Sequence, residues 1–160
     1  MNGERDKQIE AIQSSGYKAA VVVTGGGSGA VHALLSHPGA SRFVLDIQIP
    51  YSAEALAAYL GGTVVRACSE ETVRLLAQVA LARASRFTHP ASEAIGIACT
   101  SALQTNRERK GSDRAYICIK STEKEVLHKL ELEPGSRGRQ DAVVSDMLLG
   151  LTAGFIGVGG

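Results

Sequence analysis

Length, composition and charge place this chain among ordinary globular proteins. Its 160 residues are 44% hydrophobic and 21% charged, and 17 basic against 16 acidic side chains leave a net charge of +1. A balanced charge and the absence of tryptophan give no electrostatic or stacking reason to expect nucleic acid or an anionic membrane as a partner. We therefore expect one domain over residues 1–160 that binds neither.

The cysteines and the apolar C-terminal tail bear on the compartment. Cys68, Cys99 and Cys118 are odd in number and share no C-x-x-C spacing. They predict free buried thiols in a reducing compartment, and we expect a cytoplasmic protein without an export signal or a metal site. The tail over residues 147–160 is too short for a membrane span. It is interpreted as a docked helix end or, over 150–160, as the remnant of a linker to another domain.

Hydrophobic periodicity predicts helices and strands that alternate along the chain. A polar helix over 4–15 ends at Gly16 and makes 1–16 an N-terminal segment. Strands are predicted over 19–23, 42–49, 94–100, 115–120 and 126–132, the last more exposed than the others. Further helices are predicted over 28–36, 52–60, 68–86 and 140–149, with Ser52 and Ser69 as N-caps. This order predicts an α/β three-layer sandwich with a parallel-rich central sheet and helices on both faces.

The glycine-rich turn after the first strand is a candidate ligand site. Glycines let the backbone approach a ligand closely, and the free N–H groups of a following helix attract an anion such as phosphate. Ser28 is expected to cap that helix. The candidate phosphate-binding residues are Gly25, Gly26, Gly27, Ser28 and Gly29.

Three interpretations of this turn compete. Gly25, Gly27 and Ala30 fit the loose dinucleotide pattern G-x-G-x-x-A, although Asp46 lies inside the second strand rather than at its end, where a ribose-binding acid is expected. A P-loop is excluded because no Gly-Lys-Ser/Thr follows. A tight turn without a ligand is the remaining alternative.

A basic loop over residues 104–113 is the second candidate. Arg107, Arg109, Lys110 and Arg114 lie in or beside it, and arginines offer bidentate geometry to a phosphate. The loop follows a predicted strand, and ligands of α/β sheets bind beyond the carboxyl ends of strands. A solvated charged loop is the alternative. The four histidines have no metal-ligand spacing, so no metal is expected.

Several motifs, in this order, resemble the C-terminal domain of the CinA family, the competence/damage-inducible proteins. The segments 38–41 (PGAS), 50–55 (PYSAEA) and 68–71 (CSEE) are similar to the family's P-G-S-S, T-Y-S-N-E-A and V-S-E-E. The resemblance covers about residues 19–149. It implies the fold of that family, whose active members deamidate nicotinamide mononucleotide (NMN), and it favours a homo-oligomer.

The chain departs from the active members at the residues that carry their chemistry. Thr24 stands where their A-E-S-C-T-G-G motif has the proposed nucleophilic serine, and Leu56 stands where they have the lysine that serves as its base. The glycine-rich T-G-I-A-G-P segment is replaced by residues 99–105. The replacement, followed by the basic loop, resembles a divergent CinA-like module that is sometimes joined to a nucleotidyltransferase domain.

These observations lead to one main expectation and two alternatives. The main one is a domain that binds a pyridine mononucleotide or a similar phosphate ligand, needs no cofactor, and has lost or altered deamidase chemistry. Residues 24–29 would hold the phosphate and Tyr51 and Ser52 would line the pocket, which is closed by Thr100, Arg107, Lys110 and Arg114. The first alternative is an active amidohydrolase with Thr24 as nucleophile and Lys110 or Lys18 as base. The second is an interaction module that self-associates through its apolar C-terminus.

Overall fold

A five-stranded mixed sheet forms the centre of the computed structural model, which describes residues 3–106 and 111–157. The strands are β1 (Lys18–Thr24), β2 (Val44–Gln48), β3 (Ala94–Ala102), β4 (Arg114–Lys120) and β5 (Glu125–Glu131), in the spatial order β2-β1-β3-β4-β5. β1 is parallel to both of its neighbours, whereas β4 is antiparallel to β3 and to β5. Four of the five strands therefore run in one direction, and only β4 departs from the predicted parallel arrangement.

Five α-helices cover the two faces of this sheet. They are α1 (Gly3–Gln13), α2 (Ser28–Ser36), α3 (Ala53–Leu60), α4 (Glu70–Phe87) and α5 (Arg137–Phe155). Val21 and Val23 of β1 lie in a buried cluster with residues of α1, α2 and α5, and Ala20 and Val22 lie in a second cluster with α3 and α4. Successive residues of a strand point to opposite faces, so the two clusters are the two sides of one sheet. The predicted three-layer α/β sandwich is confirmed.

The predicted caps hold α3 and α4 at their starts. The Ser52 hydroxyl accepts a hydrogen bond from the N–H of Ala55 at 3.0 Å, and Ser69 accepts one from Thr72 at 3.1 Å. Such caps satisfy N–H groups that the first turn of a helix leaves without partners. Cys99 and Cys118 are buried free thiols, as predicted, and Cys68 is buried as well.

The last helix is longer than the predicted 140–149. Ser136 accepts a hydrogen bond from the N–H of Arg139 and starts α5 at Arg137, and the helix continues through Gly150 and Gly154 to Phe155. Burial of Ala153 and Phe155 in the core offsets the low helix propensity of the glycines. Residues 150–155 therefore correspond to the docked-helix interpretation of the tail. No helix within the described ranges is both long and apolar enough to span a bilayer.

Candidate functional site

A cleft of about 480 Å³ opens at the carboxyl ends of the parallel strands. β2 lies on one side of β1 and β3 on the other, and ligands of open α/β sheets bind beyond the strand ends at such a switch point. The loops after β1, β2 and β3 and the first turn of α5 supply its walls. The lining residues are Val23, Gly25, Gly26, Ser28, Ile49, Tyr51, Leu103, Arg137, Gly138 and Asp141.

The floor of the cleft is the glycine turn, which lies directly on β3. Gly25 has a φ of +82°, and an ideal Cβ built on it would lie 2.0 Å from the carbonyl oxygen of Ser101. No side chain fits in that space, and L-residues avoid that backbone conformation. Glycine is thus required at position 25 by packing within the chain, independently of any ligand.

The N-terminus of α2 is capped by a carboxylate from another helix. Oδ1 of Asp141 accepts hydrogen bonds from the N–H groups of Gly27 at 2.7 Å and Ser28 at 3.1 Å, and Oδ2 accepts one from Gly29 at 3.0 Å. The Ser28 hydroxyl donates to Oδ2 at 3.2 Å. Ser28 was expected to cap α2, and this is wrong: Gly27 occupies the cap position, and the acceptor comes from α5.

These contacts also set the charge of Asp141. Partial burial favours the neutral acid, but the hydrogen bonds from Gly27, Gly29 and Ser28 outweigh it and lower the pKa of the carboxyl below its usual value. Asp141 is therefore ionised at neutral pH. The three N–H groups at the start of α2 therefore already donate to an anion, the Asp141 carboxylate.

Arg137 supplies a cation to the cleft. Its guanidinium donates hydrogen bonds to the carbonyl oxygens of Gln104 at 2.9 Å and Gly25 at 3.2 Å, and to the Tyr51 hydroxyl at 3.2 Å. All three acceptors are neutral, and within residues 3–106 and 111–157 Arg137 makes no ion pair. Its positive charge is thus not neutralised by those residues. A second opening of about 460 Å³, lined by Gln104, Thr105 and Asn106, shares Tyr51 and Arg137 with the cleft.

Thr24 faces away from this cleft. Val23 lines the cleft, and Thr24, the next residue along β1, points to the opposite face of the sheet, where it is 6% exposed. Leu56, at 4% exposure, belongs to the cluster on that same face. Lys18 and Thr24 are the first and last residues of β1, about 20 Å apart at the usual strand rise. Lys18 therefore cannot be the base of Thr24.

The other predicted site residues have separate positions. Tyr51 lines the cleft, but the Ser52 hydroxyl is the cap of α3. The Thr100 hydroxyl is buried and donates to the carbonyl of Ala67 at 2.9 Å. The Arg114 guanidinium donates to the carbonyl oxygens of Cys68 at 3.0 Å and Ser112 at 2.8 Å. The predicted residues Arg107 and Lys110 lie outside the described part of the chain.

The dinucleotide interpretation of the glycine turn required Asp46 to bind a ribose. Asp46 lies within β2, and its carboxylate pairs with the Arg83 guanidinium of α4 at 2.6 Å. It is not among the residues that line the cleft, so it cannot serve a ribose there. Among the described residues, no group of three or more His, Cys, Asp or Glu side chains is arranged to hold a metal ion.

Two polar residues of the cleft, Arg137 and Asp141, were not predicted from the sequence. A local signal for them exists: Ser136 follows a Pro-Gly pair and has the character of an N-cap, which starts a helix at residue 137. Residues 137 and 141 are four apart and then share one face of that helix. The N-cap signal does not show which part of the chain this helix face contacts; in the structure, Asp141 contacts the start of α2.

The fold of this chain is similar to that of solved structures of the CinA superfamily. The crystal structure of competence/damage inducible protein CihA from Agrobacterium tumefaciens matches with a TM-score of 0.81 at 17% sequence identity, over 96% of each chain. A CinA superfamily protein from Klebsiella pneumoniae 700603 matches with a TM-score of 0.78 at 16% identity, also over 96% of each chain. A CinA superfamily protein from Enterobacter cloacae matches with a TM-score of 0.78 at 16% sequence identity, over 96% of this chain and 90% of that chain.

These structures confirm the resemblance seen in the sequence at the level of the fold. No family model and no curated protein sequence matches the chain. Identities of 16–17% carry no information on ligand or activity.

Proposed function

We propose that this domain binds a small mononucleotide, with NMN as the first candidate, and that it does not deamidate it. The single observation that supports binding is Arg137, a cation in a cleft of about 480 Å³ whose hydrogen bonds to the described residues all go to neutral acceptors. A phosphate would exchange those neutral acceptors for charge-assisted hydrogen bonds, and arginine matches a phosphate in bidentate geometry.

The proposed phosphate position differs from the one expected from the sequence. The N–H groups of Gly27, Ser28 and Gly29 donate to Asp141, so a phosphate at the start of α2 would have to displace a carboxylate. At Arg137 the contacts with described residues that it would displace are weaker and neutral. The phosphate is therefore assigned to the first turn of α5, where the helix dipole also favours an anion.

Apolar side chains beside Arg137 suit a flat aromatic base. Val23, Ile49 and Leu103 line the cleft, and the Tyr51 ring at its mouth is 67% exposed. Largely apolar walls with a few polar groups are typical of small-molecule sites. An exposed tyrosine can cover the face of a base, since aromatic rings stack favourably when offset.

Loss of deamidase chemistry follows from the surroundings of Thr24. Deamidation replaces the amide nitrogen of the nicotinamide with an oxygen from water and releases ammonia, and a hydroxyl nucleophile needs an adjacent base to take its proton. Thr24 lies on the face opposite the cleft, and Leu56, in the position of the family lysine, cannot accept a proton. A bound NMN would therefore meet no activated nucleophile at this residue.

The experiment compares two arginines of the same helix turn. NMN binding is measured by calorimetry for the wild type, Arg137→Gln and Arg139→Gln; the two variants remove the same charge, but only Arg137 lines the cleft. We expect Arg137→Gln to weaken binding by about tenfold or more, since a hydrogen bond to a charged group contributes about 1.5–3 kcal/mol. Arg139→Gln should leave the affinity within about twofold.

Two outcomes contradict the proposal. One is failure of the wild type to bind millimolar NMN; the other is equal weakening of NMN binding by both variants, which would indicate a general charge effect. Mass spectrometry of the same mixtures, watching for nicotinic acid mononucleotide, tests the catalytic half. Its formation at a rate reduced by Thr24→Ala would establish the amidohydrolase alternative. The homo-oligomer stays a separate prediction, tested by light scattering.

A further inference from the structure

The carboxylate of Asp141 stands where an α/β domain commonly binds a ligand phosphate. We infer that Asp141 is a specificity-determining residue that keeps a second phosphate out of the cleft, so that monophosphates are accepted at Arg137 and diphosphates are rejected. The inference rests on the proposed function for its ligand, but the occupied start of α2 can be tested without any nucleotide.

Five hydrogen-bond donors at the start of α2 and on α5 point at the Asp141 carboxylate. Besides the N–H groups of Gly27, Ser28 and Gly29, the Ser28 hydroxyl donates to Oδ2 at 3.2 Å and the Ser145 hydroxyl at 3.4 Å. Five donors surround one carboxylate, which is about the number of lone-pair sites it has. A ligand anion would have to take all of these donors from Asp141.

The atoms around the Asp141 carboxylate are also closely packed. An ideal Cβ on Gly29 would lie 2.8 Å from Oγ of Ser145 and 3.4 Å from Oδ2 of Asp141. The backbone of α2 at Gly29 therefore packs tightly against Ser145 of α5, which leaves no room for a side chain at residue 29.

Asp141 also lines the cleft that holds Arg137. The two residues are four apart on one helix, so they present a cation and an anion on the same face. A ligand with one phosphate can contact the arginine alone. A second phosphate directed at the glycine turn meets a fixed negative charge, and like charges at short range in a partly buried site repel strongly.

The test compares a variant that lacks the Asp141 charge with a variant that lacks an equal charge elsewhere on α5. Asp141→Ala frees the N–H groups of α2, whereas Asp146→Ala removes an exposed carboxylate that pairs with Arg5. The probes are inorganic phosphate and pyrophosphate. Their binding is measured by calorimetry and by changes in the amide NMR shifts of Gly27, Ser28 and Gly29. We expect Asp141→Ala to bind pyrophosphate about tenfold more tightly than the wild type, with shifts at those three amides. Asp146→Ala should behave as the wild type.

Each other result overturns the inference. Equal gains in both variants would mean a general charge effect, and no gain in Asp141→Ala would mean that the aspartate is only a structural cap. Wild-type shifts at the three amides on adding phosphate would mean that the turn is open. If Asp141→Ala does not fold, Asp141→Asn keeps the side-chain size without the charge and must show the gain. Failure of the wild type to bind NMN contradicts the proposed function alone, because the amide shifts do not depend on it.

Discussion

Replacement of Gly25 by alanine tests how the cleft floor is built, and Gly61 provides the control. Gly25 and Gly61 have φ values of +82° and +79°, so alanine at either position meets the same backbone cost of about 1–2 kcal/mol. Only Gly25 also meets an obstacle: its Cβ would lie 2.0 Å from the Ser101 carbonyl oxygen, whereas a Cβ on Gly61 has nothing within 4 Å. The difference between the two variants therefore isolates one contact.

The size of that difference can be worked from the geometry. Relief of the contact requires the turn to move by about 1 Å from β3, and overpacking of this kind costs about 1–3 kcal/mol. The movement also strains the hydrogen bond from Arg137 to the Gly25 carbonyl. We expect Gly25→Ala to lower the free energy of unfolding by about 2–5 kcal/mol, against about 1–2 kcal/mol for Gly61→Ala.

Urea unfolding of both variants beside the wild type measures the two values, provided that the slopes with denaturant agree. Equal destabilisation by the two substitutions would refute the reasoning, because it would show that the turn does not lie against β3. NMN affinity adds a second measurement: it should fall in Gly25→Ala and stay unchanged in Gly61→Ala.

Three further predictions concern stability and pH. Gly150→Ala in α5, where a Cβ has nothing within 4 Å, should raise the free energy of unfolding by about 0.5–1 kcal/mol in urea titrations. Thr24→Val should change it by less than about 1 kcal/mol and leave NMN affinity intact, since no hydrogen bond of the Thr24 hydroxyl is found among the described residues; a larger loss would reveal a partner. A hydrogen bond to Asp6, then one to the Ala33 carbonyl, raises the pKa of His37 above 6.5. The stabilisation from this pair is complete below that value and is lost as pH rises through the raised pKa; thermal unfolding from pH 6 to 8 should show this decline, and Asp6→Asn should remove it.

The secondary structure was predictable because its signals are local. Continuous apolar runs mark β1 and β3, and serines at the starts of α3 and α4 make the predicted cap contacts. The ends of α5 were less predictable because Gly150 and Gly154 suggest a break by propensity. Burial of Phe155 stabilises the continued helix, and burial is a property of the whole fold that local sequence does not show.

The candidate site was only partly predictable, for a related reason. The glycine turn was recognised as a helix start with free N–H groups, but their acceptor, Asp141, is 114 residues away from Gly27 in sequence. Similarly, Thr100 and Arg114 are suitable phosphate ligands by chemistry, yet carbonyl groups of Ala67 and Cys68 take their hydrogen bonds. Sequence patterns identify donors, but tertiary structure decides which acceptor they meet.

The distance along the chain between the two halves of the cleft has a consequence for biosynthesis. The turn after β1 is translated early, but it stays without the carboxylate of Asp141 and the cation of Arg137 until α5 has been made. Contacts of such high sequence separation cost loop-closure entropy and slow folding. A nascent chain that has reached only β5 has no complete cleft and exposes the sheet face that α5 covers, which makes it a target for chaperones. Ligand binding would therefore distinguish finished domains from unfinished ones.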